Sequence, residues 1–114
     1  MRLVLADDDP HVRSAIRMVL SEEAAIQVVA ECATGASLMD VVQQVAPDVA
    51  LVDCELPGLR PRELATRCLV IAMSGRPEQR QAALRAGVSR FVCKGDAPDA
   101  LLTALRELIG VAVE

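Results

Sequence analysis

The sequence has almost no aromatic residues and no excess of positive charge. Phe91 is its only aromatic side chain, and 16 acidic residues against 12 lysines and arginines give a formal net charge of -4. Surfaces that bind nucleic acids need clustered positive charge, and those for single strands add aromatic rings on which bases stack. We therefore expect no direct nucleic-acid binding by this domain.

Long apolar runs are also missing, although 53% of the residues are hydrophobic. No run approaches the roughly 20 residues that a transmembrane helix needs. The first ten residues, MRLVLADDDP, include three consecutive aspartates and lack the apolar core of a signal peptide. The length of 114 residues suits one domain. We expect a single cytoplasmic domain over residues 1–114, with no membrane partner.

Zinc-binding patterns are absent as well. The four cysteines, at positions 32, 54, 68 and 93, form no C-x-x-C pair, and His11 is the only histidine. Structural zinc sites use closely spaced pairs of cysteine and histidine ligands. We interpret the cysteines as small buried hydrophobic residues of a protein from a reducing compartment.

What the sequence does contain is an alternation of short apolar runs with longer segments of helical periodicity. The runs are continuously apolar, which is typical of parallel strands covered on both faces. They are Arg2–Ala6, Ile26–Ala30, Asp48–Val52, Leu69–Met73 and Arg90–Cys93. Five such units predict an α/β fold, a doubly wound five-stranded parallel sheet with the flavodoxin-like strand order 2-1-3-4-5.

Helices are predicted where apolar residues recur at i, i+3, i+4 and i+7. Pro47 ends the second helix, and Gly87 is a natural stop for the fourth. The third has room for about two turns within Pro61–Arg67, because a crossover between parallel strands usually takes a dozen residues or more. The other predicted helices are Val12–Leu20, Leu38–Val45, Pro77–Ala86 and, after a cap at Asp96, Leu101–Ile109.

Polar side chains follow four of the five predicted strands. Asp7 and Asp8 follow the first strand, Asp53 the third, Ser74 the fourth and Lys94 the fifth. Ligands of open α/β sheets bind outside the carboxyl ends of the strands, so these side chains should meet there. Converging carboxylates repel each other, and a hard cation such as Mg²⁺ relieves the repulsion. A carboxylate could then attack phosphorus while the ammonium and hydroxyl groups hold the phosphoryl oxygens.

Each of these residues also has an ordinary structural alternative. An aspartate after a strand often caps a helix or forms a turn, as Asp9 could before Pro10. Ser74 could be a simple loop residue. Lys94 could be a solvated charge, but it is the only lysine among 12 basic residues. That rarity favours a site where the planar guanidinium of arginine would not substitute.

Four segments resemble the receiver domains of two-component response regulators, over essentially the whole chain. In order, they are LVLADDDPHVR, PDVALVDCELPG, VIAMSG and LRAGVSRFVCKG. The first two, with IQVVAECATG between them, are most similar to the subfamily with a C-terminal helix-turn-helix output domain of the LuxR type. The resemblance implies a phosphorylation-dependent switch that is charged by a histidine kinase or a phosphotransfer protein and regulates transcription through another domain.

The resemblance also implies a role for each matching acidic residue. Asp53 would accept the phosphoryl group and would be the modified residue. Mg²⁺ would be held by Asp8 directly, by Asp7 mainly through water, by Asp53 and by the backbone carbonyl of Glu55. The domain would catalyse only its own phosphorylation and dephosphorylation, so we do not expect a conventional enzyme.

Three further residues would carry the response to phosphorylation. Ser74 and Lys94 would hold the phosphoryl oxygens, and Phe91 matches the aromatic switch position, although an ordinary core position is its alternative. The ring and the hydroxyl would move inward together and repack the face of the fourth helix, fifth strand and fifth helix. A phosphorylation-dependent dimer is compatible with this scheme. Gly75, beside the site, is expected to leave the acyl phosphate open to water.

The chain departs from the family pattern around the third helix. Arg60-Pro61 replaces the usual Asp-Gly, and the interval from Asp53 to Ser74 is shorter than usual. Gly95 replaces a frequent proline, which leaves open whether its peptide bond is cis. A degenerate receiver that binds partners without phosphorylation is therefore one alternative function. A hydrolase of the aspartyl-phosphate type is another, and a flavin-binding protein is disfavoured because no phosphate loop follows the first strand.

Overall fold

The strands of the computed structural model, which describes residues 1–113 and the side chains of residues 1–110, form one parallel sheet. The strand order is β2-β1-β3-β4-β5, so the predicted fold is confirmed. Each predicted strand is present; two have the predicted bounds, and the bounds of the other three shift by at most two residues. They are β1 (Arg2–Ala6), β2 (Gln27–Cys32), β3 (Val49–Asp53), β4 (Leu69–Ser74) and β5 (Arg90–Cys93).

The crossovers and the last segment contain helices, of which the first two begin at side-chain caps. Pro10 opens the first helix, where its missing N–H is not needed, and Asp9 accepts a hydrogen bond of 2.8 Å from the backbone N–H of His11. Thr34 caps the second helix in the same way. The helices are α1 (Pro10–Leu20), α2 (Gly35–Val45), α3 (Pro61–Ala65), α4 (Arg80–Arg85) and α5 (Asp99–Val113).

The prediction that the third helix is shortened is confirmed. Helix α3 has five residues, and the N–H of Thr66 bonds to the carbonyl of Glu63 at 3.1 Å, which closes its last turn. Leu64 is fully buried and fixes the helix on the sheet. The chain must enter β4 at Leu69, so no room is left for a longer helix.

Two predicted helix starts are wrong. Pro77 does not open a continuous helix, because Pro77–Gln79 forms a 3₁₀ turn before α4 begins. Asp96 does not cap the last helix, because it ends a second 3₁₀ turn and α5 begins only at Asp99. The residue before a proline avoids the helical conformation, and Ala97 is accordingly extended. Among the described residues, the cis peptide bond joins Ala97 to Pro98, and the bond from Lys94 to Gly95 is not cis.

Hydrophobic layers cover both faces of the sheet. Because side chains alternate along a strand, Leu3 and Leu5 face the layer under α1 and α5, whereas Val4 and Ala6 face the layer under α2 and α4. Phe91 belongs to the second layer. The core residues of β1 and β3 are almost completely buried, as the continuously apolar runs predict.

None of the helices described is long and apolar enough to cross a bilayer.

Candidate functional site

In the described part of the chain, three polar or charged residues are buried, and all three were predicted for the site. Asp7 is 3% exposed, Asp53 is 5% exposed and Ser74 is fully buried. They lie at the carboxyl ends of β1, β3 and β4, respectively. Burying a carboxylate is unfavourable unless a positive charge and hydrogen bonds compensate for the lost hydration. The surroundings of Asp7 and Asp53 therefore have to provide both.

Lys94 provides the positive charge from the end of β5. Its Nζ lies 3.3 Å from Asp7 Oδ2, to which it donates a hydrogen bond, and 3.3 Å from Asp53 Oδ2. Burial on its own would lower the pKa of Lys94, but the charges of Asp53 and Asp7 more than offset this and raise the pKa above its ordinary value. The side chain is therefore an ammonium ion at neutral pH.

Backbone amides fix the orientation of both buried carboxylates. The N–H of Asp9 donates to Asp7 Oδ1 at 2.9 Å, and the N–H of Glu55 donates to Asp53 Oδ1 at 3.1 Å. Both bonds reach two residues along the chain, as is typical of aspartates at the start of a turn. With Oδ1 held in this way, the Oδ2 atom of each carboxylate faces Lys94.

Asp8 completes an acidic cluster that fits a hard cation. Asp7, Asp8 and Asp53 each offer a carboxylate oxygen, and these oxygens all lie within 4.8 Å of one another. Asp8 is exposed, whereas the other two are buried, so a cation would be reached from solvent on one side. Oxygen donors of this kind suit Mg²⁺ or Ca²⁺, and not the softer metals that need sulfur or imidazole ligands.

The hydroxyl of Ser74 is engaged by a residue that the sequence analysis missed. Ser74 Oγ donates to Gln79 Oε1 at 2.5 Å and accepts a hydrogen bond of 2.9 Å from the N–H of Arg76. Gln79 ends the 3₁₀ turn after β4 and is half-buried. Nothing in the local sequence marks it, because its role depends on the turn that brings its side chain back to the strand end.

Phe91 is buried in the layer beneath α4, where the side chain of Arg80 contacts its ring. The guanidinium carbon of Arg80 lies 5.1 Å from the ring centroid, within the range of a cation–π interaction. Phe91 lies three residues before Lys94 and is paired with Ala72 on β4, and Ala72 lies two residues before Ser74. Phe91 is therefore a core residue in this structure. It also lies close to the ends of β4 and β5, which carry Ser74 and Lys94.

The mouth of the site is open and carries exposed charges. Arg76 Nη1 lies 3.6 Å from Glu55 Oε1, and Arg76 Nε lies 3.5 Å from Glu78 Oε1. Each of these side chains is about half exposed or more, so the ion pairs are weak. A methyl group added at Gly75 would meet no atom within 4 Å. The structure therefore has open space beside Gly75.

The parallel sheet, with a buried acidic pair and a lysine at its carboxyl edge, defines the chain as a receiver domain. Residues 3–106 match the family model described as the response regulator receiver domain, and the chain belongs to this family. Its members are signalling domains of two-component systems. The resemblance to this family that the four sequence segments indicate is therefore confirmed.

Relatives of known name support the same family and subfamily. The chain is 29% identical to the nitrate/nitrite response regulator protein NarL of Escherichia coli K12, over 92% of this chain and 53% of NarL. It is 30% identical to the transcriptional regulatory protein DesR of Bacillus subtilis, over 94% of this chain and 57% of DesR. The chain thus spans about half the length of the curated relatives it matches.

A solved structure shows the same fold. The chain matches the isolated receiver domain of RcsB from Salmonella enterica serovar Typhimurium with a TM-score of 0.88 and 24% sequence identity. The match covers 96% of this chain and 88% of the RcsB domain. That protein was studied in the presence of the phosphomimetic BeF3⁻. At this level of identity, the likeness concerns the fold alone.

Proposed function

We propose that this domain is a phosphorylation-dependent switch in which Asp53 accepts a phosphoryl group from a histidine kinase or a phosphotransfer protein. The observation that carries the proposal is the position of the Asp53 carboxylate, which is buried at the end of β3 with Lys94 at 3.3 Å. Its orientation is fixed by the amide of Glu55. A nucleophile held in this way needs little rearrangement before it attacks.

The acidic cluster is proposed to hold Mg²⁺. Asp7, Asp8 and Asp53 would supply carboxylate oxygens, and the backbone carbonyl of Glu55 is the fourth proposed ligand. The spacing of the three carboxylates supports this assignment. When bound, the ion would neutralise charge on the carboxylates and on the incoming phosphoryl oxygens.

In the proposed transfer, a carboxylate oxygen of Asp53 forms a bond to phosphorus as the bond between phosphorus and the donor nitrogen breaks. The electron pair of that broken bond stays on the imidazole of the donor. Lys94 would pair with a phosphoryl oxygen, because its ammonium already faces the reacting carboxylate. Water later cleaves the acyl phosphate and restores the carboxylate, so the domain changes only its own state.

The response is proposed to pass through Ser74 and Phe91 to the face formed by α4, β5 and α5. Repacking of this face would regulate a DNA-binding output domain or another partner. The domain is proposed to act in the cytoplasm. The relatives are about twice as long as this chain, which supports a separate output domain. A phosphorylation-dependent dimer through this face fits the same scheme.

Incubation with Mg²⁺ and a small acyl phosphate, followed by intact mass measurement, tests the proposal. We expect one added phosphate in the native protein and none in Asp53→Asn. Asp40→Asn is the matched control, because Asp40 is an exposed carboxylate on α2. A native protein that takes no phosphate from any donor would favour a binding module that works without phosphorylation. Steady turnover of free phosphomonoesters would favour a hydrolase.

A further inference from the structure

The hydroxyl of Ser74 has a partner that competes with any phosphoryl group. A serine hydroxyl has one proton and can donate one strong hydrogen bond. In this structure, that proton goes to Gln79 Oε1 at 2.5 Å, while the carbonyl oxygen of Arg76 is a more distant acceptor at 3.4 Å. A hydroxyl that holds a phosphoryl oxygen on Asp53 must therefore first leave Gln79.

The bond from Ser74 to Gln79 has a buried donor and a partly buried acceptor. Ser74 is fully buried and Gln79 is half-buried. The backbone N–H of Gln79 bonds to the carbonyl of Arg76 at 3.0 Å, which closes the 3₁₀ turn and directs the chain back toward the strand end. Because the hydroxyl is buried and Gln79 Oε1 is its nearest acceptor, this contact defines the position of the hydroxyl in this structure.

We propose that Gln79 is a positioning residue that holds the Ser74 hydroxyl in the unphosphorylated domain and sets how readily it moves to a phosphoryl group on Asp53. The inference deepens the proposed function and rests on it. Gln79 does not touch the reacting atoms in this scheme. It acts through Ser74, and its loss favours the phosphorylated packing.

The position of Gln79 also explains how the release could reach the output face. The next residue, Arg80, begins α4 and lies over the ring of Phe91. Two successive residues thus contact Ser74 and Phe91. When the Gln79 side chain loses its contact with Ser74, the start of α4 loses one of its attachments to β4. The cation–π contact with Phe91 is then free to rearrange in the same step.

Beryllofluoride with Mg²⁺, a mimic of the phosphoryl group, provides the test. Its dissociation constant is measured by calorimetry, because a chain without tryptophan or tyrosine offers no intrinsic fluorescent reporter. Gln79→Leu keeps the size of the side chain and removes the acceptor. We expect binding to tighten about 2- to 12-fold, the equilibrium equivalent of one neutral hydrogen bond. Gln79→Met should behave alike if leucine disturbs folding.

The control variants separate this role from a general structural one. Gln81→Leu makes the same change at an exposed position of α4 and should leave the dissociation constant unchanged. In a Ser74→Ala background the hydroxyl is absent, so Gln79→Leu should have no further effect on binding. An equal effect of Gln79→Leu with and without the hydroxyl would overturn the proposal, as would unchanged or weaker binding in Gln79→Leu itself.

The outcome also distinguishes this inference from the proposed function. If the native protein binds beryllofluoride and is phosphorylated at Asp53, but Gln79 variants behave like the native protein, only the role of Gln79 is refuted. If the native protein neither binds the mimic nor accepts phosphate, the proposed function fails, and the role of Gln79 fails with it.

Discussion

Replacing Lys94 by methionine should make the folding of this domain depend on divalent cations. Lys94 is the cation that faces both buried carboxylates, at 3.3 Å from Asp7 Oδ2 and 3.3 Å from Asp53 Oδ2. Methionine is close to lysine in shape and carries no charge. The variant therefore leaves two buried carboxylates, with the exposed carboxylate of Asp8 nearby, and no ammonium between them.

The expected loss of stability follows from these distances. At 3.3 Å, a unit charge pair is worth about 5 kcal/mol at the effective dielectric constant of about 20 that suits protein sites. Much of this attraction is offset by the desolvation of the charges. Removing one partner of a fully buried pair costs about 3–5 kcal/mol. Because the Lys94 side chain is 32% exposed, we expect a smaller loss of about 2 kcal/mol at neutral pH without Mg²⁺.

Urea unfolding followed by far-ultraviolet circular dichroism measures this loss, once in EDTA and once in excess Mg²⁺. Mg²⁺ should stabilise Lys94→Met more than the native protein, because it replaces the missing positive charge between the carboxylates. Arg62→Met is the matched control: Arg62 is exposed on α3, and its loss should change the free energy of unfolding by less than about 0.5 kcal/mol.

The pH dependence gives an independent check with a defined sign. The pKa of Lys94 in the folded protein is raised above the ordinary value of 10.5. Its contribution to stability is therefore complete below pH 10.5 and is lost as the pH rises through the folded pKa. The difference in stability between the native protein and Lys94→Met should close over that alkaline range. The reasoning is refuted if the variant is as stable as the native protein in EDTA, or if Mg²⁺ stabilises both equally.

Three further changes test other parts of the structure. Gly35→Ala should lower the free energy of unfolding by about 3 kcal/mol or more, because a Cβ at position 35 would lie 2.1 Å from the carbonyl oxygen of Gly58. Gly110→Ala is the control: a Cβ at position 110 would meet no atom within 4 Å, so this variant should not lose stability in the same urea titration. Gly75→Ala should lengthen the half-life of the phosphorylated protein by narrowing the opening, and an unchanged half-life would contradict this. Burial raises the pKa of Cys68 to about 11, so little of the reactive thiolate is present at pH 8. Alkylation of Cys68 at pH 8, followed by peptide mapping, should be far slower in the folded than in the unfolded chain. Equal rates would show that folding does not protect this thiol from alkylation.

The sheet could be predicted from sequence because its strands are buried on both faces. A strand such as Val49–Asp53 is covered by helices on each side, so it is continuously apolar up to the polar residue at its end. The helix starts were harder to predict, because competing local signals decide them. Asp96 is a good capping residue, but Pro98 two positions later keeps Ala97 extended and delays the helix to Asp99.

The site was predictable to the extent that it consists of strand ends. Asp53, Ser74 and Lys94 could be identified because the topology of a parallel sheet brings the carboxyl ends of its strands to one edge. Gln79 and Arg80 could not, because their contacts depend on the 3₁₀ turn after β4, and the same stretch reads as the start of a helix at Pro77. Tertiary contacts of this kind leave no periodic trace in the sequence.

The shortened third helix should affect the two proposed steps, phosphoryl acceptance and transmission of the signal, differently. The proposed chemistry depends on residues from the ends of β1, β3, β4 and β5. The contacts that fix Asp53 come from Glu55, which precedes α3 in the sequence, and from Lys94, which follows it. Helix α3 begins beside a cavity of about 300 Å³, which is lined by Leu59, Pro61, Gln79 and Ala83 of α4. A shorter α3 should therefore spare the proposed acceptor site and change the packing beside α4. Gln79, which contacts Ser74, directly precedes α4, and Arg80, which contacts Phe91, begins it. The shortening should therefore alter how phosphorylation is transmitted to a partner more than how the phosphoryl group is received.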